Sequence, residues 1–237
     1  MQQDRWQWRK DFLTCSLLGA WRHGWFGRAV HPHPPDILHR YLLDYGSAQT
    51  VKQVHGRRIV SVTEINNQVV VADGLYSRDP HLSVWVCSAD CVPILLGDRR
   101  GGAVMAIHAG WRGTGAGILA EALQLLAQRG TQIEDLCIGL GPAISGAVYQ
   151  VGAEVVSQVL SIVKQPVGVQ PDPSTGDRYL LDLRAVQRQF FLEAGVPPGQ
   201  IGIAPYCTYQ QNHLFFSYRR QDYQKVQWAG ICANTIQ

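Results

Sequence analysis

The 237-residue sequence predicts a mixed α+β fold in one domain, with a mixed sheet flanked by helices. Two observations carry that reading. Short apolar runs bounded by Gly, Pro or Asp recur at strand length, and between them lie longer segments with apolar residues at helical spacing. The two kinds of segment do not alternate strictly, which disfavours a doubly wound parallel sheet. The composition, 46% hydrophobic and 16% charged, suits one large globular unit over residues 1–237.

The expected strands are Gln68 to Ala72, Leu82 to Cys87, Val92 to Leu96, Ala103 to Ile107, Leu136 to Leu140 and Ile201 to Ala204. Helices are expected at Thr114 to Gln128, where Ile118, Leu119, Ala122, Leu125 and Leu126 form one stripe, and at Ala153 to Val163 and Leu183 to Glu193. His31-Pro32-His33-Pro34-Pro35 reads as a rigid extended loop rather than a domain boundary, because each proline biases its predecessor away from helix. There is no internal repeat.

A formal charge of +3, carried almost wholly by arginine, points to discrete anion contacts rather than a nucleic-acid-binding face. The longest apolar runs fall far short of the ~20 residues needed to cross a membrane. The start, MQQDRWQWRKDF, lacks the apolar core of a secretion signal, so a cytoplasmic location is expected, with the six cysteines as thiols or metal ligands. No protein partner is inferable.

Three residues carry the candidate chemistry. His55 sits before a glycine in Gln53-Val54-His55-Gly56; Cys91 follows the polar Ser88-Ala89-Asp90 inside an apolar run; His108 ends an apolar run. Alone, each has an ordinary structural explanation as a core or surface side chain. Cys87, four residues before Cys91, is a rival ligand, although its apolar neighbours favour a core position. Together, two imidazoles and a thiolate suit zinc, and the lack of a fourth protein donor would leave a position for water. After His108, Gly110-Trp111-Arg112-Gly113-Thr114-Gly115-Ala116-Gly117 reads as a glycine-rich turn feeding a helix, whose amides would bind an anion beside Arg112. Its spacing is not that of the nucleoside-triphosphate loop.

These segments, with Ala72-Asp73-Gly74, Gly139-Leu140-Gly141-Pro142-Ala143-Ile144 and Phe215-Phe216-Ser217-Tyr218-Arg219-Arg220, resemble the YfiH-type family from about Arg22 to about Arg220. That family is also labelled polyphenol oxidase or laccase-domain protein. The resemblance implies a fold shared in plan with a toxin cysteine hydrolase, and a purine nucleoside phosphorylase with adenosine deaminase activity. The substrates it implies are phosphate and the nucleosides adenosine, inosine, guanosine or methylthioadenosine. It also implies zinc on His55, Cys91 and His108, with copper the alternative metal. On this reading zinc-activated water attacks the purine, Asp90 passes protons, and Arg28, Arg112 and the Gly113 to Gly117 amides hold phosphate. Asp73, Ser77, Ser145 and Tyr149 are further candidates for substrate contact. The chain departs from the family pattern at Gly27-Arg28-Ala29-Val30, which lacks paired glycines, at Gln150, where relatives place a glutamate, and from Gln221 to Gln227.

Two rival chemistries follow from the same residues. A cysteine hydrolase would use Cys91 as nucleophile and His108 as base. A laccase would need a second, histidine-rich copper cluster, and eight histidines in all are too few to furnish it convincingly.

Overall fold

The computed structural model describes residues 5–66 and 69–234. Its strands form two stacked six-stranded sheets and one small sheet. The outer sheet runs in the order β1 (Trp6–Arg9), β2 (Phe12–Cys15), β3 (His23–Phe26), β15 (Gln227–Cys232), β7 (Leu82–Ser88), β4 (Ser47–Gln49). The inner sheet runs β14 (Ile201–Ile203), β10 (Leu136–Leu140), β8 (Val92–Asp98), β9 (Val104–Ala109), β6 (Gly74–Ser77), β5 (Ile59–Ser61). Both are mixed: β4 with β7, β5 with β6 and β10 with β14 pair in parallel, and the remaining neighbours are antiparallel. A third sheet joins β11 (Gln150–Val151), β13 (Tyr179–Leu181) and β12 (Val169–Pro171). The helices are α1 (Pro35–Leu38), α2 (Trp111–Gly115), α3 (Ile118–Gln128), α4 (Ala153–Leu160) and α5 (Leu183–Glu193).

The mixed α+β architecture expected from the sequence is present, with one difference: in place of a single sheet there are two stacked sheets and a small third one. Strands in a stack bury side chains on both faces, so β8, β9 and β10 are buried along their whole length. Side chains of alternating parity enter different cores. Val104 and Ala106 join Leu13, Trp25, Val84, Val86 and Ile231 between the sheets. Met105 and Ile107 point the other way, into the layer covered by Ile118 and Leu126 of α3, Val159 of α4 and Phe191 of α5. A third cluster, including Phe26, Trp85, Leu38 and Leu42, covers the outer sheet. Two tryptophans fix the stack at close range. Trp25 lies against Gly139 and Gly141 and donates its indole N–H to the carbonyl of Pro93 at 3.1 Å, while Trp21 lies over Gly97.

Other boundaries move. The helix expected from Thr114 splits at Gly117, whose φ of +91° breaks α2 from α3. Gln68 lies outside the described residues, and Val69 to Ala72 contributes one isolated bridge, Val71 to Lys52, instead of a strand. The chain passes from the outer to the inner sheet between β7 and β8 through Ala89-Asp90-Cys91, where Asp90 takes a φ of +92°.

Candidate metal centre

Each of the three expected ligands arrives on a different turn at one end of the sandwich. His55 lies in the loop before β5, Cys91 at the sheet-to-sheet crossing, and His108 near the end of β9. Their donor atoms all lie within 4.8 Å of one another, the one group of three or more such residues among those described. The two imidazoles meet edge to face at 4.7 Å. Gly110 completes the fit: a Cβ there would sit 2.6 Å from the Cys91 sulfur and 3.5 Å from the His55 ring. At Gly113 a Cβ would meet the Gly56 carbonyl at 2.7 Å, so that glycine lets α2 close on the His55 loop.

One carboxylate organises the cluster. Asp73 has no solvent-exposed surface. Its Oδ1 accepts the amides of Val54 (3.1 Å) and His55 (2.8 Å) and faces Nδ1 of His108 (3.2 Å); its Oδ2 accepts the Gly56 amide at 2.7 Å. These bonds hold His55 in a left-handed conformation, φ +62°, that an L-residue otherwise disfavours. With Nδ1–H of His108 donated to Asp73, Nε2 is left as the ligand atom, the arrangement that orients metal-binding histidines. Burial alone would raise the Asp73 carboxyl, but the His108, Gly56 and His55 donors outweigh it and hold its pKa down.

Charge in the cluster favours ligation. Burial would keep the Cys91 thiol protonated, yet the imidazoles of His108 and His55 bring it down to about 6. Burial also opposes charge on His108, while Cys91 and Asp73 raise it to about 9. The two shifts run in opposite senses and favour a thiolate beside an imidazolium. The rival Cys87 is not in the cluster; burial pushes its thiol up to about 11, and the Gln53 side-chain amide ties its backbone at both N–H and C=O, each 2.8 Å.

Several expected substrate residues are occupied elsewhere. Asp73 is the buried anchor just described, with both carboxylate oxygens engaged. Ser77 is fully buried at the far end of β6, where it accepts the Asp79 amide at 3.0 Å. The Asp90 carboxylate turns to the segment after β14, taking bonds from the hydroxyls of Thr208 (2.6 Å) and Ser217 (2.9 Å) and the amide of Arg219 (2.8 Å). It positions that loop rather than pointing at the ligands. Arg28 pairs with Asp222 at 3.2 Å, donates to the Phe215 carbonyl and lies 4.1 Å over the Phe216 ring, so its guanidinium staples the same loop. Ser145 donates to Gln210 at 3.4 Å and turns the chain toward Tyr149.

The glycine-rich turn is also different from expectation. Residues Trp111–Gly115 are themselves helical, and the amides of Thr114, Ala116 and Gly117 bond to the carbonyls of Gly110, Arg112 and Thr114 at 2.8 to 3.0 Å. Those three are taken, while the Trp111, Arg112 and Gly113 amides lie in the first turn of α2, ahead of its first intrahelical bond. Arg112 is exposed, 4.2 Å over the Trp111 ring. Tyr149 is within electrostatic reach of Cys91, Arg219, Asp90 and Arg112; burial first, then the Cys91 charge, pushes its phenol up to about 12. Arg219, which sequence reasoning did not single out, lies 5.2 Å over the Tyr149 ring and is held by the Gln150 carbonyl at 3.1 Å. Its motif was visible; its direction was not.

A sequence model of the family described as "Multi-copper polyphenol oxidoreductase laccase" matches residues 35–236. A purine nucleoside phosphorylase from Synechocystis is 40% identical, with 98% of each chain covered. The purine nucleoside phosphorylase YfiH of Escherichia coli is 36% identical over 72% of this chain and 67% of its own. Among solved structures, YlmD from Geobacillus stearothermophilus superposes with a TM-score of 0.87 at 25% identity, covering 98% of this chain and 99% of that one. A Bacillus licheniformis protein titled hypothetical protein YfiH superposes at 0.83, also at 25% identity, covering 98% and 100%.

Proposed function

Because the chain belongs to the family described as multi-copper polyphenol oxidoreductase laccase, whose relatives above are named purine nucleoside phosphorylases, we propose that it is a zinc-dependent purine nucleoside phosphorylase that also deaminates adenosine. The reading takes residues 1–237 as a single catalytic domain that splits adenosine, inosine, guanosine or methylthioadenosine with phosphate into base and ribose 1-phosphate. The observation that carries it is the His55–Cys91–His108 cluster built on buried Asp73.

The donor set fits zinc: two nitrogens and one sulfur, with no fourth protein donor in the group. It fits an electron-transfer copper less well, since such centres add a weak axial ligand, commonly methionine. Met105 lies an odd number of positions from His108 on β9, so it faces the opposite core. A trinuclear copper cluster finds no second group of ligands among the described residues.

Zinc bound there supplies a Lewis acid that polarises oxygen ligands and acidifies water. The chain's own groups do the rest. Asp73 fixes the tautomer of His108. Tyr149 stays protonated at neutral pH and offers an O–H donor. Arg219, over the Tyr149 ring, and Arg112, over the Trp111 ring, are the cations this reading assigns to balance phosphate and the departing purine. Asp90 holds the Ser217–Arg219 backbone that presents Arg219. Incubating metal-loaded protein with adenosine and phosphate tests the reading directly: adenine with ribose 1-phosphate reports phosphorolysis and inosine reports deamination. Failure to turn over any of the four nucleosides refutes it.

A second reading has one specific observation behind it. Cys91, His108 and Asp73 form a nucleophile, base and orienting carboxylate in line, which is the arrangement of a cysteine hydrolase. His55 beside the thiolate favours metal instead. Iodoacetamide decides: zinc ligation protects Cys91 until a chelator is added, whereas a free nucleophile alkylates in step with loss of activity.

A further inference from the structure

Along β1, β2 and the turn before β3, at one edge of the outer sheet, lies a cavity of about 450 Å³. None of its lining residues belongs to the metal cluster. Its volume is in the range of small-ligand sites, roughly 300 to 1,000 Å³.

The lining has a consistent chemistry. Arg5, Arg9 and Arg22 all border it, and no carboxylate does among the described residues. Arg5 is held at one nitrogen by the Gly199 carbonyl (2.8 Å) and Arg22 by that of Leu42 (3.1 Å), which orients both guanidiniums without neutralising them. The Arg9 side chain has no hydrogen bond among the described residues, and its charge reaches the buried His23 ring. Three like charges on one concavity repel one another, and a multiply charged anion relieves that repulsion. Planar guanidiniums match phosphate in particular. Phe12 and Tyr41, edge to face at 6.0 Å, also border it; Phe12 stacks on Phe26, and Tyr41, 41% exposed, offers aromatic surface for a flat ring.

We propose that this cavity is a second binding site, separate from the metal centre, for a planar aromatic compound bearing a phosphate group, of the nucleoside 5′-phosphate class. The arginines hold the phosphate and Phe12 and Tyr41 hold the ring. The inference stands on these residues alone and not on the activity of the metal centre.

Calorimetric titration with adenosine 5′-monophosphate, adenosine and inorganic phosphate tests it. The monophosphate binds the wild-type protein saturably and more tightly than adenosine or phosphate alone. Each guanidinium removed, in Arg9→Ala and in Arg9→Ala/Arg22→Ala, weakens it roughly tenfold. His55→Ala leaves that binding unchanged, and Arg9→Ala leaves turnover of inosine at the metal centre unchanged. Arg9→Ala removes no described side-chain hydrogen bond, so it decides the matter even if the double variant misfolds. Monophosphate binding that survives Arg9→Ala at full strength, or that disappears in His55→Ala, overturns the proposal, as does wild-type protein that binds no monophosphate.

Discussion

Asp73→Asn isolates the part of the metal centre that is not itself a ligand. Asparagine is nearly isosteric, so the cavity is preserved and only charge and one acceptor change. With its carbonyl in the Oδ1 position, the substituted side chain would keep Val54, His55 and His108 as donors but turn an NH₂ group onto the Gly56 amide. One charge-assisted bond is lost outright, about 1.5–3 kcal/mol, and the remaining ones weaken toward neutral strength. A total near 3 kcal/mol lowers Tm by about 6–12 °C in a chain of this size. Loss of a carboxylate behind a ligating histidine costs about 10–100-fold in metal affinity. One effect runs the other way. His108 is raised to about 9 partly by Asp73, and a less basic imidazole gives up its competing proton more easily. The assay is therefore a competition with a chromogenic chelator at a pH above that value, alongside thermal melts of metal-free protein. Wild-type zinc affinity in Asp73→Asn refutes the idea that this carboxylate organises the site, whatever happens to Tm.

Gly110→Ala places a methyl group 2.6 Å from the Cys91 sulfur, so zinc affinity falls at least tenfold by the same competition while the far-ultraviolet spectrum is unchanged. Cys87→Ser is the matched control and retains the full metal content, since that thiol is outside the cluster. Asp90→Asn weakens the bonds to Thr208, Ser217 and Arg219; zinc stays bound and kcat/KM for nucleoside falls roughly tenfold, equivalent to about 1.4 kcal/mol. His23 is lowered from 6.5 to about 4, chiefly by burial. The fold favours its neutral form, so stability is complete above pH 6.5 and falls by up to about 3 kcal/mol as pH drops to 4. Denaturant unfolding across that range shows the slope, and His23→Gln flattens it.

The three clustered side chains were legible because chemically unusual residues interrupt apolar runs there, as Cys91 does between Val86 and Val92. Their anchor was not, because Asp73 is 18 residues from His55 and 35 from His108, and nothing in a linear pattern says that one carboxylate serves both. The direction of the Asp90 side chain was equally hidden: adjacency to Cys91 suggested a proton carrier, and the positive φ at Asp90 instead aims it at Thr208 and Ser217. The buried central strands announced themselves as apolar runs. The strands of the N-terminal meander did not, since each is four residues long and mixes Trp and Phe with Arg, Gln, Thr and His. Their contribution is the outer sheet, which is why one sheet was expected where two are stacked. Glycines after His108 suggested an open anion loop, but their small size instead allows α2 to close on Gly56.

The crossing at Ala89-Asp90-Cys91 gives the thiol two frames of reference. β7 carries it from the outer sheet, β8 carries it into the inner one, and both histidines hang from the inner sheet and its flanking loop. A slide of one sheet across the other by a fraction of an ångström would change the sulfur-to-imidazole spacing before it disturbed any pairing within either sheet. The tryptophans wedged between the layers, Trp25 on Gly139 and Gly141 and Trp21 on Gly97, would then act as spacers for a centre they do not belong to. Metal affinity at this cluster would therefore report how well the two layers are registered.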